Sequence, residues 1–597
     1  MSFSSEKRTI LFTGYVAMGC VLTFEQFRQV ADAAKAAGFT HVDLGSAMCD
    51  RSRWQLDNGG AYAPGYDFYT EYTAAFADPF KFVCPTALRE FLPTADIAAN
   101  GEELRRRAAY LAQIGLKGCL IGAWPQWLPE AVYSAHPEWR GPRCDMPFRS
   151  RRAYFAPCVD QPDVLALYRE AARGIHELAP NFDTFIFMTN DSGTSMCWNQ
   201  DSYPGMNGPA ACRGRSMTDR VTGFLNALEE GLDTPDALAY NAWQGFWCFS
   251  GMLSPHAGNT HGERIWFVRP PQDKPVIHEN PLGMLTELEN AAKGRPDIIV
   301  VNVEQAQQTF RQDGVYVRML QKFARRPTDG FTDRLLFLKE FIAEWKLDTG
   351  NRLLDAWVSL YRGVDDTSLR RLFYYSIFLY GCMSARFLVR PLVPRPEKLT
   401  EEEKAYYKRH VFDSLDRQDY ELDLLNIHGL RNEFHGRTKE EAERSAHCWD
   451  SVIASWLTAE SNLVEALKVA PSEFARAHQA QLLRGVRTLL CFARNLKHCE
   501  LFQAMLDRAG QDGYGPNANS DKLEVIMRQE FDNAGDLIRI LEEPDALSVL
   551  PLAPTPEKEH TFLFGPNLAG QLREKRRLML KYWRDSQVLF DFKNRFH

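Results

Sequence analysis

Between Thr9 and Glu304 the chain alternates short apolar runs with amphipathic helical runs, and this alternation constrains the fold more than any other feature. Strands are expected at Thr9–Ala17, Thr40–Leu44, Gly118–Ala123, Asp183–Met188, Ala237–Trp243, Ile265–Val268, Pro275–Glu279 and Ile298–Glu304, with a short extra strand at Phe80–Pro85. Helices are expected from Thr23 to the stop at Gly38, from Gly101 to Leu116, from Asp160 or Gln161 to Leu178, from Thr218 to Leu232, and over GMLTELENAAKG. Strand, helix, strand in succession gives parallel pairing through right-handed crossovers, and at this number of units a (β/α)8 TIM barrel. An open doubly wound sheet is the alternative. Against it, no glycine-rich phosphate fingerprint follows the first strand, because Gly14 and Gly19 have the wrong spacing.

After about residue 314 the pattern turns helical, with runs such as VYVRMLQKFARR and FTDRLLFLKEFIAEWKL. Ala385–Pro391 is read as the closing strand, ahead of the breaks at Pro391, Pro394 and Pro396. From Thr400 apolar residues recur every three or four positions, which predicts a helical bundle with helices at 439–470, 472–508, 520–542 and 568–593. The domain reading is therefore a barrel over 1–395 with a helical insertion near 314–380, then an α-helical domain over 396–597. The amphipathic helices of that second part suit a homodimer interface.

The net charge of −7 argues against a nucleic-acid surface. The 13 cysteines form no CxxC pair, which fits reduced thiols in a cytoplasmic protein and neither a disulfide framework nor a zinc site. No run of 18 apolar residues occurs, so no membrane partner is expected. No cofactor and no metal is expected: His41, His136, His261 and His278 are the obvious ligand candidates, and their spacing makes no motif. A metal-dependent isomerase or lyase would need them to converge.

The most informative stretch is FDTFIFMTNDSG, residues 182–193. A strand dense in apolar residues is followed at its carboxyl end by Asn190 and Asp191, where parallel α/β folds place their chemistry. Other acids at such ends are Asp43, Glu279 and Glu304. A pair of carboxyl groups there suits cleavage of a glycosidic bond, one protonating the leaving oxygen and the other acting as base or nucleophile. Asp191 is the expected acid, Glu304 its first partner and Glu279 the second. Trp124, Trp127, Trp198 and Trp243 are candidate sugar platforms beside Asn190, Asp43, His136 and Arg140. Arginines crowd 140–152 and recur at Arg213, Arg215 and Arg220, which suits an anionic sugar if they share a face. The bland alternatives are an Asx-turn at Asp191, a structural histidine at 136, and arginines that pair with nearby acids.

FIFMTNDSG resembles the fourth strand of large glycosidase barrels, where Asn and a following acid carry the general acid, and HPEWRG resembles a loop in bacterial glycoside hydrolases. A barrel followed by a helical domain is similar to α-glucuronidases and hexosaminidase-like proteins. The resemblance implies an exo-acting glycoside hydrolase with a carbohydrate partner. It departs in having Asp191 where those families usually have Glu, and in lacking an evident adjacent Asp-Glu pair. A sialidase-type glycosidase using His136 with an acid, and a non-catalytic carbohydrate-binding barrel, are the alternatives.

Overall fold

The structure, a computed structural model, describes residues 9–13, 23–44, 78–121, 125, 127–143, 154–187, 215, 217–234, 237–241, 265–268, 276, 279–294, 298–303, 310–365, 388–395, 398–403, 439–511, 518–550, 552 and 564–589. The chain forms two compact units. One comprises residues 1–61, 71–270 and 284–328, the other 62–70, 271–283 and 329–597.

In the first unit, β1 (Thr9–Thr13) leads to α1 (Phe24–Ala37). Thr23 and Gln26 close a reciprocal capping box at its start, and Gly38 ends it at φ 87°, a left-handed turn that a β-carbon would strain. There follow β2 (His41–Asp43), α2 (Thr94–Ile114), β3 (Lys117–Ile121), α3 (Glu130–Ala135), β4 (Arg140–Arg143), β5 (Phe155–Pro157), α4 (Pro162–Leu178), β6 (Phe182–Phe187), α5 (Met217–Leu232), β7 (Leu238–Asn241), β8 (Ile265–Val268), α6 (Pro281–Gly294), β9 (Ile298–Asn302) and α7 (Val315–Arg325). Seven strands make one sheet in the order β7-β6-β3-β2-β1-β9-β8, and every pairing is parallel. All six residues of β6 are buried, as expected of a parallel strand covered on both faces. β4 and β5 form a separate antiparallel ribbon.

Several expectations are corrected. Asp78–Lys81, at the start of the supposed Phe80–Pro85 strand, is a 3₁₀ turn that seats Phe80 against Tyr168, with ring centroids 4.7 Å apart. A six-residue run is too short to show a period of its own, so packing decides its state. In the supposed closing strand, of which 388–391 are described, Leu388 and Val389 are helical and Arg390 and Pro391 belong to no regular element. Among the described residues the sheet is open, with β7 and β8 at its edges.

The second unit contains α8 (Phe331–Glu344), α9 (Arg352–Asp365), α10 (Lys439–Lys468), α11 (Glu473–Gln511), α12 (Ala518–Glu542), α13 (Leu568–Lys581) and α14 (Asp585–Leu589). Successive helices from α8 to α13 pack on one another, α14 packs on α12, and Trp357, Trp449 and Trp456 are fully buried. The expected single helix 568–593 is interrupted by the turn 582–584.

At the amino ends of β2, β3 and β6 a buried carboxylate joins three strands. Asp183 Oδ1 accepts from His41 Nε2 at 2.9 Å and from Thr184 Oγ1 at 2.6 Å, and Oδ2 accepts from Lys117 Nζ at 2.6 Å. Burial raises the Asp183 pKa, but the bonds from His41, Lys117 and Thr184 outweigh it and hold the carboxyl below its ordinary value. Because the folded pKa is depressed, this contribution is present above the ordinary carboxylate range and is lost as pH falls through the folded value. Removing one partner of such a pair leaves the other charge without compensation. Asp183→Ala is therefore expected to lower unfolding free energy by about 3 kcal/mol at neutral pH, and thermal melts of the variant against wild type should converge in strongly acidic buffer.

Candidate functional site

The two edges of the sheet differ in their connections. On the edge where strands begin, helices lead into strands through short segments: 38–40, 115–116, 179–181, 233–237 and 295–297. On the edge where strands end, the chain spends 14–23, 44–93, 122–161, 188–216, 269–280 and 303–314 before the next major helix. Long connections on one edge of a parallel sheet supply a site, while the other edge supplies stability. The Asp183 cluster therefore stands on the stabilising edge, although it gathers a histidine, a lysine and an acid.

Of the expected site residues, Asp43 ends β2 on the functional edge. Its side chain is buried and its Oδ1 accepts from the Ile121 N–H at 3.4 Å, tying the end of β2 to the end of β3. Burial, with Asp43 and Asp183 adding to it, pushes the Cys119 thiol well above its ordinary pKa, so this cysteine stays neutral and unreactive.

The motif HPEWRG belongs to the ribbon that follows β3. The His136 ring stacks on Trp139 with centroids 3.8 Å apart and 9° between planes, and meets the edge of Phe91. Arg140 donates through both terminal nitrogens to Glu130, one bond being 3.0 Å, and its guanidinium lies 5.0 Å from the Tyr133 ring and 4.8 Å from that of Phe155. Glu130 raises the Arg140 pKa further. At Gly141 a β-carbon would stand 2.5 Å from the Ala156 carbonyl oxygen, so the residue lets the two backbones approach. In this arrangement His136 and Arg140 shape the ribbon, and their polar groups face Glu138 and Glu130.

The arginine face is likewise committed in part. Asp160, its side chain 2% exposed, holds Arg215 Nη1 at 2.5 Å and Arg220 Nε at 2.9 Å. Arg215 lies just before α5 and Asp160 just before α4, so this pair of ionic bonds ties the start of α5 to the start of α4. The sequence hides the role of Asp160, since its partners stand 55 and 60 positions away.

Glu279 lies in the second unit, where both carboxylate oxygens are 2.9 Å from His478 Nε2 on α11. Trp357 meets the His478 ring edge-on with centroids 6.3 Å apart. Asp191, Asn190, Glu304, Trp124, Trp198 and Trp243 lie outside the described residues. Among the described residues no group of three or more His, Cys, Asp or Glu is placed to hold a metal ion, and no helix is long and apolar enough to cross a membrane.

No protein-family model and no curated protein matches the sequence. Solved structures do match. A GH138 enzyme targeting pectin rhamnogalacturonan II superimposes with a TM-score of 0.52 at 9% identity, over 99% of this chain and 69% of that one. A GH89 enzyme from Clostridium perfringens, in complex with its substrate GlcNAc-alpha-1,4-galactose, gives 0.45 at 11% identity over 97% of this chain and 59% of that one. A GH36 alpha-galactosidase from Geobacillus stearothermophilus gives 0.31 at 13% identity, over 57% of this chain and 42% of that one. The fold is glycoside-hydrolase-like. That likeness is carried by the GH138 enzyme.

Asp160 gives the sharpest test of this geometry. Asp160→Ala removes the acid that faces the fully buried Arg220, and is expected to cost about 3–5 kcal/mol of unfolding free energy, measured by urea denaturation. A loss below about 1 kcal/mol, typical of exposed ion pairs, would show that Asp160 does not anchor the two arginines.

Proposed function

We propose that this chain is an exo-acting glycoside hydrolase built on a (β/α)8 barrel, with Asp191 as general acid and Glu304 as base or nucleophile. The observation that carries this reading is the one-sided sheet: all-parallel strands, with the long connections gathered on the edge where Asp191 follows β6 and Glu304 follows β9. The fold likeness to the GH138 enzyme supports it. In chain order β6 is the fourth strand of the sheet and β9 the seventh.

Closure of the barrel is part of the proposal. Along the sheet β6 and β9 are four strand spacings apart, about 19 Å at roughly 4.8 Å each. Working carboxyl pairs stand about 5–9.5 Å apart. Bending the sheet round, so that its edges β7 and β8 approach, brings the two ends across the barrel mouth. Asp191 then delivers a proton to the glycosidic oxygen as the bond to the anomeric carbon breaks, with Asn190 orienting the acid or the sugar. Glu304 attacks that carbon or deprotonates a water that does so, according to the spacing.

Glu279 is the alternative partner. Its two oxygens face His478, which gives Glu304 priority. Trp124, Trp198 and Trp243 are the proposed sugar platforms, with Asp43 behind them at the end of β2. An acidic terminal sugar is the narrower form of the proposal. With Arg140, Arg215 and Arg220 engaged by Glu130 and Asp160, it rests on Arg149, Arg151, Arg152 and Arg213.

The test is hydrolysis of a panel of nitrophenyl and methylumbelliferyl glycosides that includes glucuronides, sialosides and N-acetylhexosaminides. One sugar should turn over, and Asp191→Asn and Glu304→Gln should each lower kcat by about 10³-fold without shifting the melting temperature. Turnover that survives Asp191→Asn discards the assignment of the acid. Binding of a sugar without turnover on any aglycone favours a carbohydrate-binding barrel.

A further inference from the structure

Residues 388–395 and 398–403 of the second unit meet α13 and the residues just after it at two places of different character. The inner place is dry. Lys575 on α13 is fully buried, and its Nζ donates to the Leu388 carbonyl at 2.7 Å and to Glu530 on α12. The Glu530 carboxylate is itself fully buried and accepts from Asn495 Nδ2 at 2.8 Å, His498 Nδ1 at 2.7 Å and Asn533 Nδ2 at 3.2 Å. Burial raises the Glu530 pKa, but Lys575 and His498 outweigh it and bring it to about 2, so the carboxylate keeps its charge. A buried lysine needs that charge beside it, and the backbone of 388–393 supplies the second acceptor.

The outer place is wetter. Glu403 forms a capping box with Thr400 and accepts from Lys581 Nζ at 2.7 Å and from the Tyr582 hydroxyl at 2.6 Å, with Arg577 at 3.6 Å. Lys398 Nζ donates to Asp585 at 2.6 Å. Between the two places Leu392 joins the core around Met579 and Phe502, while Val393 and Leu399 pack with Leu578 and Tyr582. The turn 582–584 that interrupts the last helix lies at this contact, with Tyr582 on one side and Asp585 on the other.

We propose that α13 and the turn after it act as a two-point clasp on 388–403, with an inner anchor at Lys575 and an outer anchor at Glu403 that open independently. The burial difference is the basis. The inner anchor opens only if Lys575 leaves a fully buried site, whereas Lys581 and Arg577 at the outer anchor are 43% and 53% exposed.

The test is hydrogen exchange of the full chain, read by mass spectrometry on peptides covering 388–393 and 398–403. Glu403→Gln should speed exchange over 398–403 by about tenfold and leave 388–393 within about twofold of wild type. Lys575→Met, which keeps the apolar stem, should do the reverse. If Lys575→Met does not fold, Glu530→Leu with Lys575→Met, which leaves no unpaired buried charge, takes its place with the same expectation. Equal acceleration of both peptides in either variant, or no acceleration in both, overturns the proposal.

Discussion

Strand β1 pairs with β2 on one side and with β9 on the other, from Leu11 against His41 to Thr9 against Ile298, and the architecture of the first unit depends on this double pairing. A chain that walks outward strand by strand through β2, β3, β6 and β7 must then return past its own start to place β8 and β9. Parallel pairing forbids hairpins, so each step needs a helical crossover, and the crossovers cover the faces. The segments between helix and next strand are short and those between strand and next helix are long. Stability and chemistry are thereby assigned to opposite edges by connectivity alone.

This division explains why the most enzyme-like cluster among the described residues is not the proposed site. Asp183, His41, Lys117 and two threonine hydroxyls have the composition of an acid–base centre, yet His41 and Lys117 are the first residues of their strands. Their geometry ties three strands together at one level. Asp43, two residues beyond His41, belongs to the other edge.

Much of the fold was legible because its signals are local. The Thr23 cap, the Gly38 stop, the start of α4 at Pro162 and the long helices of the second unit all follow from neighbours within a turn or two. What was not legible depends on partners distant in sequence. The supposed strand at Phe80–Pro85 became a 3₁₀ turn because Tyr168 receives Phe80. The arginine-rich stretch was open to two readings, an anion site or pairing with acids, and Arg140 and Arg215 are found paired, with Glu130 ten positions away and with Asp160 55 positions away. Packing groups the chain from Asp329 onward with the later helices, a grouping set by contacts distant in sequence. For the site, the acids at strand ends were visible as a pattern, whereas the role of Asp183 depends on His41 and Lys117, 142 and 66 positions away.

The contact between Lys575 and Leu388 also has a bearing on synthesis. The two residues are 187 positions apart, so at about 5–20 residues per second the ribosome needs roughly 10–40 s to deliver the lysine after the leucine. Throughout that interval Val393 and Leu399 lack Leu578 and Tyr582, which later pack on them, and Glu530, once made, lacks Lys575. Docking of α13 thus covers Val393 and Leu399 and neutralises Glu530 in one step, and a chain without it would leave apolar surface exposed, which favours aggregation.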